Sequence, residues 1–132
     1  MNDKSVNVGL LFLRIFAGGM ILFHGIPKLG LLLAGNGSTF LNPLGIGPTM
    51  SLVLCVIAEV FCATLLIFGA FTRLCAMVLC FNMIAAMMFL YQSGSPFLSG
   101  IELPLLYFGM YFTLLITGAG NISIDKRVCA EC

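Results

Sequence analysis

The chain has 132 residues, 61% of them apolar and 8% charged, with a formal net charge of +1. Soluble domains carry about a quarter charged residues, so this composition excludes an ordinary water-facing domain and points to a lipid bilayer. The near-neutral charge gives no electrostatic footprint for a nucleic-acid partner, and a lone histidine excludes a multi-histidine metal site.

A spanning helix takes about 20 mostly apolar residues, and open strands cannot satisfy their backbone in lipid. The first such stretch is residues 6–25. Arg14 interrupts it and no small-residue cleavage pattern follows, so it reads as a retained helix rather than a signal peptide, ending before Pro27. The Gly/Pro-rich loop "AGNGSTFLNPLGIGP" comes next, carrying Phe40, Leu41, Leu44 and Ile46 at the headgroup level or over the end of the bundle. The second helix, 50–71, is joined to the third, 72–91, by "GAFTR", which forces an antiparallel hairpin. A loop, "QSGSPFLSG", leads to the fourth helix, 102–118. The fold expected is an all-α integral membrane four-helix bundle over residues 1–128, with a tail at 129–132. Lys4, Arg73, Lys126 and Arg127 fall on one side and Lys28 on the other. That bias places both termini in the cytoplasm of a multi-pass protein of the inner (plasma) membrane.

The polar residues inside the apolar helices are the candidates for function. Glu59 lies roughly 18 Å, and Arg14 roughly 10 Å, from the terminal side. Asn82, Tyr107 and Tyr111 fall at comparable depths. A charge at the bilayer centre costs at least about 2.5–3.5 kcal/mol, so the economical arrangement is Arg14 facing Glu59, with Asn82 and the tyrosines hydrogen-bonded around them. A second set, His24 and Lys28 in "FHGIPKLG" with Glu102 opening the fourth helix, lies toward the opposite side. One histidine can serve as a proton carrier or an axial haem ligand.

Cys55, Cys62, Cys75 and Cys80 lie in the helices and read as small apolar packing residues. Cys129 and Cys132 form a C-x-x-C pair on the tail, a spacing suited to thiol exchange or to half of a zinc site. The tail supplies neither a surrounding redox fold nor four zinc ligands, which leaves an unstructured end as the plain alternative.

The pieces "LLFLRIFAGGMILFHGIPKL", "AEVFCATLLIFGAFTR" and "ELPLLYFGMYFTLLITGAGNISID" give the ordered set R…G…HGxxK, E…GxxTR, E…GxGxxSxD. In this the chain resembles the DoxX family of small four-helix membrane proteins, from about Asn7 to Asp125. The resemblance implies interest in Arg14, His24, Gly25, Lys28, Glu59, Thr72, Arg73, Glu102, Gly118, Gly120, Ser123 and Asp125. It also implies an association with redox work, such as a quinone-reducing thiosulfate oxidoreductase subunit or a membrane oxidoreductase complex linked to oxidative-stress enzymes. The terminal C-x-x-C is outside that pattern.

The leading expectation is therefore a quinone-linked, redox-associated membrane subunit. Glu59 and Arg14 form its reactive core, and Asn82, Tyr107, Tyr111, His24, Lys28 and Glu102 act as cofactor-binding or connecting groups. A quinone is the cofactor expected and a haem the lesser alternative. No flavin, nicotinamide or iron–sulfur signature is present, so electrons would come from a soluble or membrane redox partner. Homo-oligomerisation stays open. So do two other readings: a small proton-coupled exporter of lipophilic compounds, and a non-catalytic structural or assembly subunit in which the buried charges only fix helix register.

Overall fold

The structure, a computed structural model, describes residues 3–131. Four of its helices are long and apolar enough to cross a membrane: α1 (Asp3–Leu33), α2 (Pro48–Phe68), α3 (Thr72–Gln92) and α4 (Phe97–Thr117). A short helix, α5 (Ile124–Glu131), follows them. Cys129 is therefore helical and exposed rather than part of an unstructured end, while Cys132 lies outside the described residues. The fold class is all-α, as the hydropathy predicts.

The surface is inverted relative to a soluble protein. Phe12, Phe23, Phe61, Phe68 and Phe81 point outward, each 61–72% exposed. The interior holds small or compact groups, among them Ala17, Ala58, Cys62, Ala63, Cys75, Ala76 and Cys80. In lipid there is no hydrophobic gain from hiding phenylalanine, so the interior is selected for close packing.

The main departure from expectation is α1. It continues through Pro27 to Leu33 instead of stopping before the proline. A proline inside a helix removes one backbone hydrogen bond and costs about 3 kcal/mol. Unwinding the chain in lipid would expose several unpaired backbone groups at several kcal/mol each, so the apolar "LGLLL" that follows stays helical. By its 1.5 Å rise, α1 is roughly 46 Å long, and Lys28 becomes an intrahelical residue rather than a loop residue.

Turns are set locally. α1, α2 and α3 each end in a Schellman motif with a left-handed glycine, at Gly35, Gly69 and Gly94. In the second of these Ala70 N–H donates to Leu65 O at 2.9 Å and Gly69 N–H to Leu66 O at 3.1 Å. Within α2 the turn Ile57–Cys62 is π-helical. Such wide turns are rare and occur frequently at functional sites; this one carries Glu59.

Candidate functional site

Glu59 is 3% exposed, in the π turn of α2. α1 crosses this turn at Gly25, where a β-carbon would stand 2.9 Å from the Glu59 carbonyl oxygen and 2.9 Å from Val60 Cγ2. The missing side chain lets the two backbones touch. One turn further along α1, Lys28 Nζ then donates to Glu59 Oε1 at 2.7 Å and to Oε2 at 2.6 Å. Asn82 on α3 donates from Nδ2 to Glu59 Oε1 at 3.0 Å.

Cys55, one turn before Glu59 on the same face of α2, completes the group. Its thiol lies 3.6 Å from Glu59 Oε1 and 3.4 Å from Asn82 Oδ1, and it accepts from Lys28 Nζ at 3.6 Å. Three helices thus deliver four polar side chains to one point. An ion pair taken out of water is held without penalty only when its remaining donors and acceptors are satisfied; Asn82 and Cys55 supply that satisfaction here.

The cluster floors an apolar cavity of about 360 Å³ between α2 and α3. Phe40, Leu41 and Leu44 of the Gly/Pro-rich loop roof it, so the loop folds over the bundle end. Leu54, Ile57 and Phe81, also in its wall, are exposed on the outer face of the bundle. The rim of the cavity therefore lies on the lipid side. A second, smaller cavity of about 140 Å³ sits behind the pair, lined by Ile21, His24, Met83 and Tyr107. Lys28 and Glu59 line both cavities and form the partition between them.

The other expected site residues fall as follows. His24 and Tyr107 share the small cavity and meet edge to face, ring centroids 6.2 Å apart. Tyr111 stacks on Tyr107 at 6.1 Å, but its hydroxyl donates to the Ala17 carbonyl at 3.1 Å and it lines neither cavity. Glu102 is exposed in the first turn of the helical stretch Glu102–Thr117 and also lines neither.

The expected pairing of Arg14 with Glu59 is not formed. Arg14 and Lys28 are separated by roughly 21 Å of helix rise, and it is Lys28 that reaches the acid. Arg14 is 1% exposed at the terminal end of the bundle, where it donates to the Ile122 carbonyl. Its Nη1 occupies the space a Gly69 β-carbon would fill, 1.7 Å from that position. The expectation treated the chain after the fourth helix as a tail, whereas this segment folds back and covers Arg14.

That segment, "GAGNISID", is a clamp held by backbone groups and by the side chains of Ser123 and Asp125. Asn121 N–H donates to Asn7 Oδ1 at 2.8 Å, and Ile122 accepts from Arg14. Ser123 Oγ accepts from Lys126 N–H at 3.2 Å and so caps α5. Asp125 caps α3 from a distance: its carboxylate accepts from Phe71 N–H at 2.7 Å and Thr72 N–H at 2.9 Å, while its own N–H donates to Gly69 O at 2.9 Å. Ser123 and Asp125 of the family-type set thus act as caps, and Arg14 is held through Nη2, while Arg14 Nε and Nη1 and Thr72 Oγ1 are buried without a hydrogen-bond partner among the described residues.

Cys55 is the group that sequence reasoning assigned to packing. Its four-residue spacing from Glu59 was the available signal, since such pairs share a helix face. Cys62, Cys75 and Cys80 are buried apolar packing residues as expected.

Comparison with known proteins gives a consistent result. The DoxX family model matches residues 9–92. An uncharacterized protein of Haemophilus influenzae is 35% identical over 127 residues, covering 89% of each chain. A Bacillus subtilis protein named "Putative oxidoreductase CatD" is 27% identical over 128 residues, covering 96% of this chain and 91% of that one. No solved structure matches. With the family model covering more than half of the chain, four membrane-length helices and the first of these relatives matched nearly end to end, the chain belongs to the DoxX family of multi-pass membrane proteins.

Proposed function

We propose that the protein is a redox-associated membrane subunit that holds a quinone head group at the floor of the larger cavity. The observation that carries this reading is the pairing of half-buried Lys28 with buried Glu59, hydrogen-bonded by Asn82, at the base of an apolar chamber with its rim on the lipid side. Such a chamber suits a ligand with a polar head and an oily tail. The name of the Bacillus subtilis relative, an oxidoreductase, supports the direction but gives no substrate.

The residues present fit the group. Lys28 and Asn82 are donors that would hold a carbonyl oxygen, and Lys28 favours the negative charge that grows there on reduction. A bound quinone supplies a carrier of two electrons and two protons. Glu59 is within reach to hold or give a proton beside that oxygen. His24 and Tyr107, which line the smaller cavity behind the partition, would relay protons toward the bundle end opposite the termini in this reading. Arg14, once a candidate for the reactive core, belongs to the terminal clamp instead. Electrons would come from a partner protein, and in this reading the positive-residue bias makes the side holding both termini the cytoplasmic one.

The test is mass spectrometry of lipids extracted from protein purified in mild detergent, beside Glu59→Gln and Asn82→Ala variants. Quinone at near one per protein, lost in both folded variants, is expected. Quinone-free wild-type protein that still binds none on reconstitution with quinone-loaded vesicles would end the proposal.

A further inference from the structure

The larger cavity has a polar group at its far end that the ion pair does not explain. Ser51 precedes Cys55 by one turn of α2 and Glu59 by two, so the three share a helix face. It is 5% exposed and lines the cavity. Its hydroxyl is held loosely: Oγ stands 3.5 Å from Asn42 Oδ1, longer than the usual O–H···O range of about 2.5–3.0 Å. That oxygen already accepts from Gly47 N–H at 3.1 Å. A buried hydroxyl with so weak a partner calls for a better one, and what it faces is the chamber. At the floor, Asn82 Nδ2 gives one hydrogen to Glu59 at 3.0 Å and carries a second.

Two donors thus face one apolar cavity from opposite ends. Asn82 stands at the level of Glu59, and two turns of α2, roughly 12 Å of rise, separate that level from Ser51. A hydrogen bond of about 2.8 Å at each end leaves roughly 6 Å between the two acceptors of a ligand that reaches both. An aldehyde or a carboxylate has no second acceptor at that distance, and the oxygens of a 1,2-dione lie side by side. A six-membered ring with carbonyls at opposite positions has the reach. Cys55 lies midway, and its small side chain leaves room for the ring. We infer that Ser51 is the second anchor of the site, donating to the distal carbonyl, and that the ligand is a 1,4-quinone held by both oxygens. The inference rests on the quinone reading and adds to it a residue and an isomer class. The ring then lies along α2, and its tail leaves sideways through the rim at Leu54, Ile57 and Phe81.

The experiment uses the full chain in lipid vesicles loaded with 2-methyl-3-prenyl-1,4-naphthoquinone, carrying a carbon-13 label at one carbonyl or at the other. Infrared difference spectroscopy then resolves the two carbonyl stretches, each lowered when its oxygen accepts a hydrogen bond. Both should lie below their positions in protein-free vesicles. Ser51→Ala should return one of them, and only one, to the free position and weaken binding about fivefold, the scale of one net hydrogen bond. Ser51→Thr, which keeps the hydroxyl, should keep both bands lowered. Asn42→Ala separates anchoring from tethering, because it releases the roof loop from Ser51 and should still leave both bands lowered. A bound quinone with one carbonyl free in the wild type overturns the inference. So does a Ser51→Ala protein in which neither band or both bands move, or an Asn42→Ala protein that matches Ser51→Ala. These results leave the quinone reading standing, whereas wild-type protein that binds no naphthoquinone removes that reading and this inference together.

Discussion

Gly25 on α1 lies against the carbonyl oxygen of Glu59 on α2, with no room between them for a single methyl group. The contact sets the distance between the two helices at the level of the buried acid, and with it the reach of Lys28 to that acid.

Enlarging residue 25 should therefore act on the ion pair through the backbone. We predict that Gly25→Ala lowers stability in detergent by about 1–3 kcal/mol, the range for overpacking, and that Gly25→Val lowers it further. Thermal unfolding followed by size-exclusion chromatography reads this. An unchanged midpoint for Gly25→Val would show that the helices part at this point without loss.

The Lys28–Glu59 pair should behave as a unit. Breaking a buried pair by removing one partner costs about 3–5 kcal/mol; Lys28 is 28% exposed, which puts Lys28→Met near the lower end. Lys28→Met combined with Glu59→Gln should be less damaging than the sum of the two single changes. A double-mutant cycle on unfolding free energies measures the coupling, and additive values would mean that the pair is not coupled in the folded protein.

At the other end of the bundle, Asp125→Ala removes both acceptors that cap α3. The loss should be about 1–2 kcal/mol, as for other N-cap deletions, with faster amide exchange at Phe71 and Thr72. Asp125→Asn keeps one acceptor and should fall between. Because this end is remote from the cavity, ligand content should be unaffected in protein that remains folded.

Gly69→Ala should be the most damaging conservative change in the chain. The residue has φ of 74° and its missing side chain is replaced by the Arg14 guanidinium. Two penalties combine: a strained left-handed alanine of about 1 kcal/mol and displacement of a buried charge. Poor yield of folded protein is expected, partly restored when Arg14 is shortened to Gln. Normal yield of Gly69→Ala would contradict the placement of Arg14.

The sequence made the helices legible because each is a long apolar run, and hydropathy alone finds such runs. It also singled out Arg14, Glu59, Asn82, Tyr107 and Tyr111 as the polar residues of the interior, with His24 and Lys28 in a second set toward the opposite end. It paired them wrongly for two physical reasons. Taking Pro27 as a stop placed Lys28 outside the bundle, whereas lipid penalises an unwound backbone more than a proline. And the partners of Arg14 and of the start of α3 lie in Ile122 and Asp125, 108 and 53–54 residues along the chain, brought there by a chain reversal that no local pattern encodes.

The π turn at Ile57–Cys62 has a consequence for how α2 can change over time. A π turn carries one residue more than the α turn it replaces, and one residue is worth roughly 100° of rotation about the helix axis. Deleting a residue there would straighten α2 and swing its first half by that angle, carrying Ser51 and Cys55 away from the chamber while the second half kept its packing. The chamber-facing and core-facing halves of α2 are thus phased by a single inserted position. Length variation between Val56 and Ala63 should mark relatives that have given up this chamber, whatever their identity elsewhere.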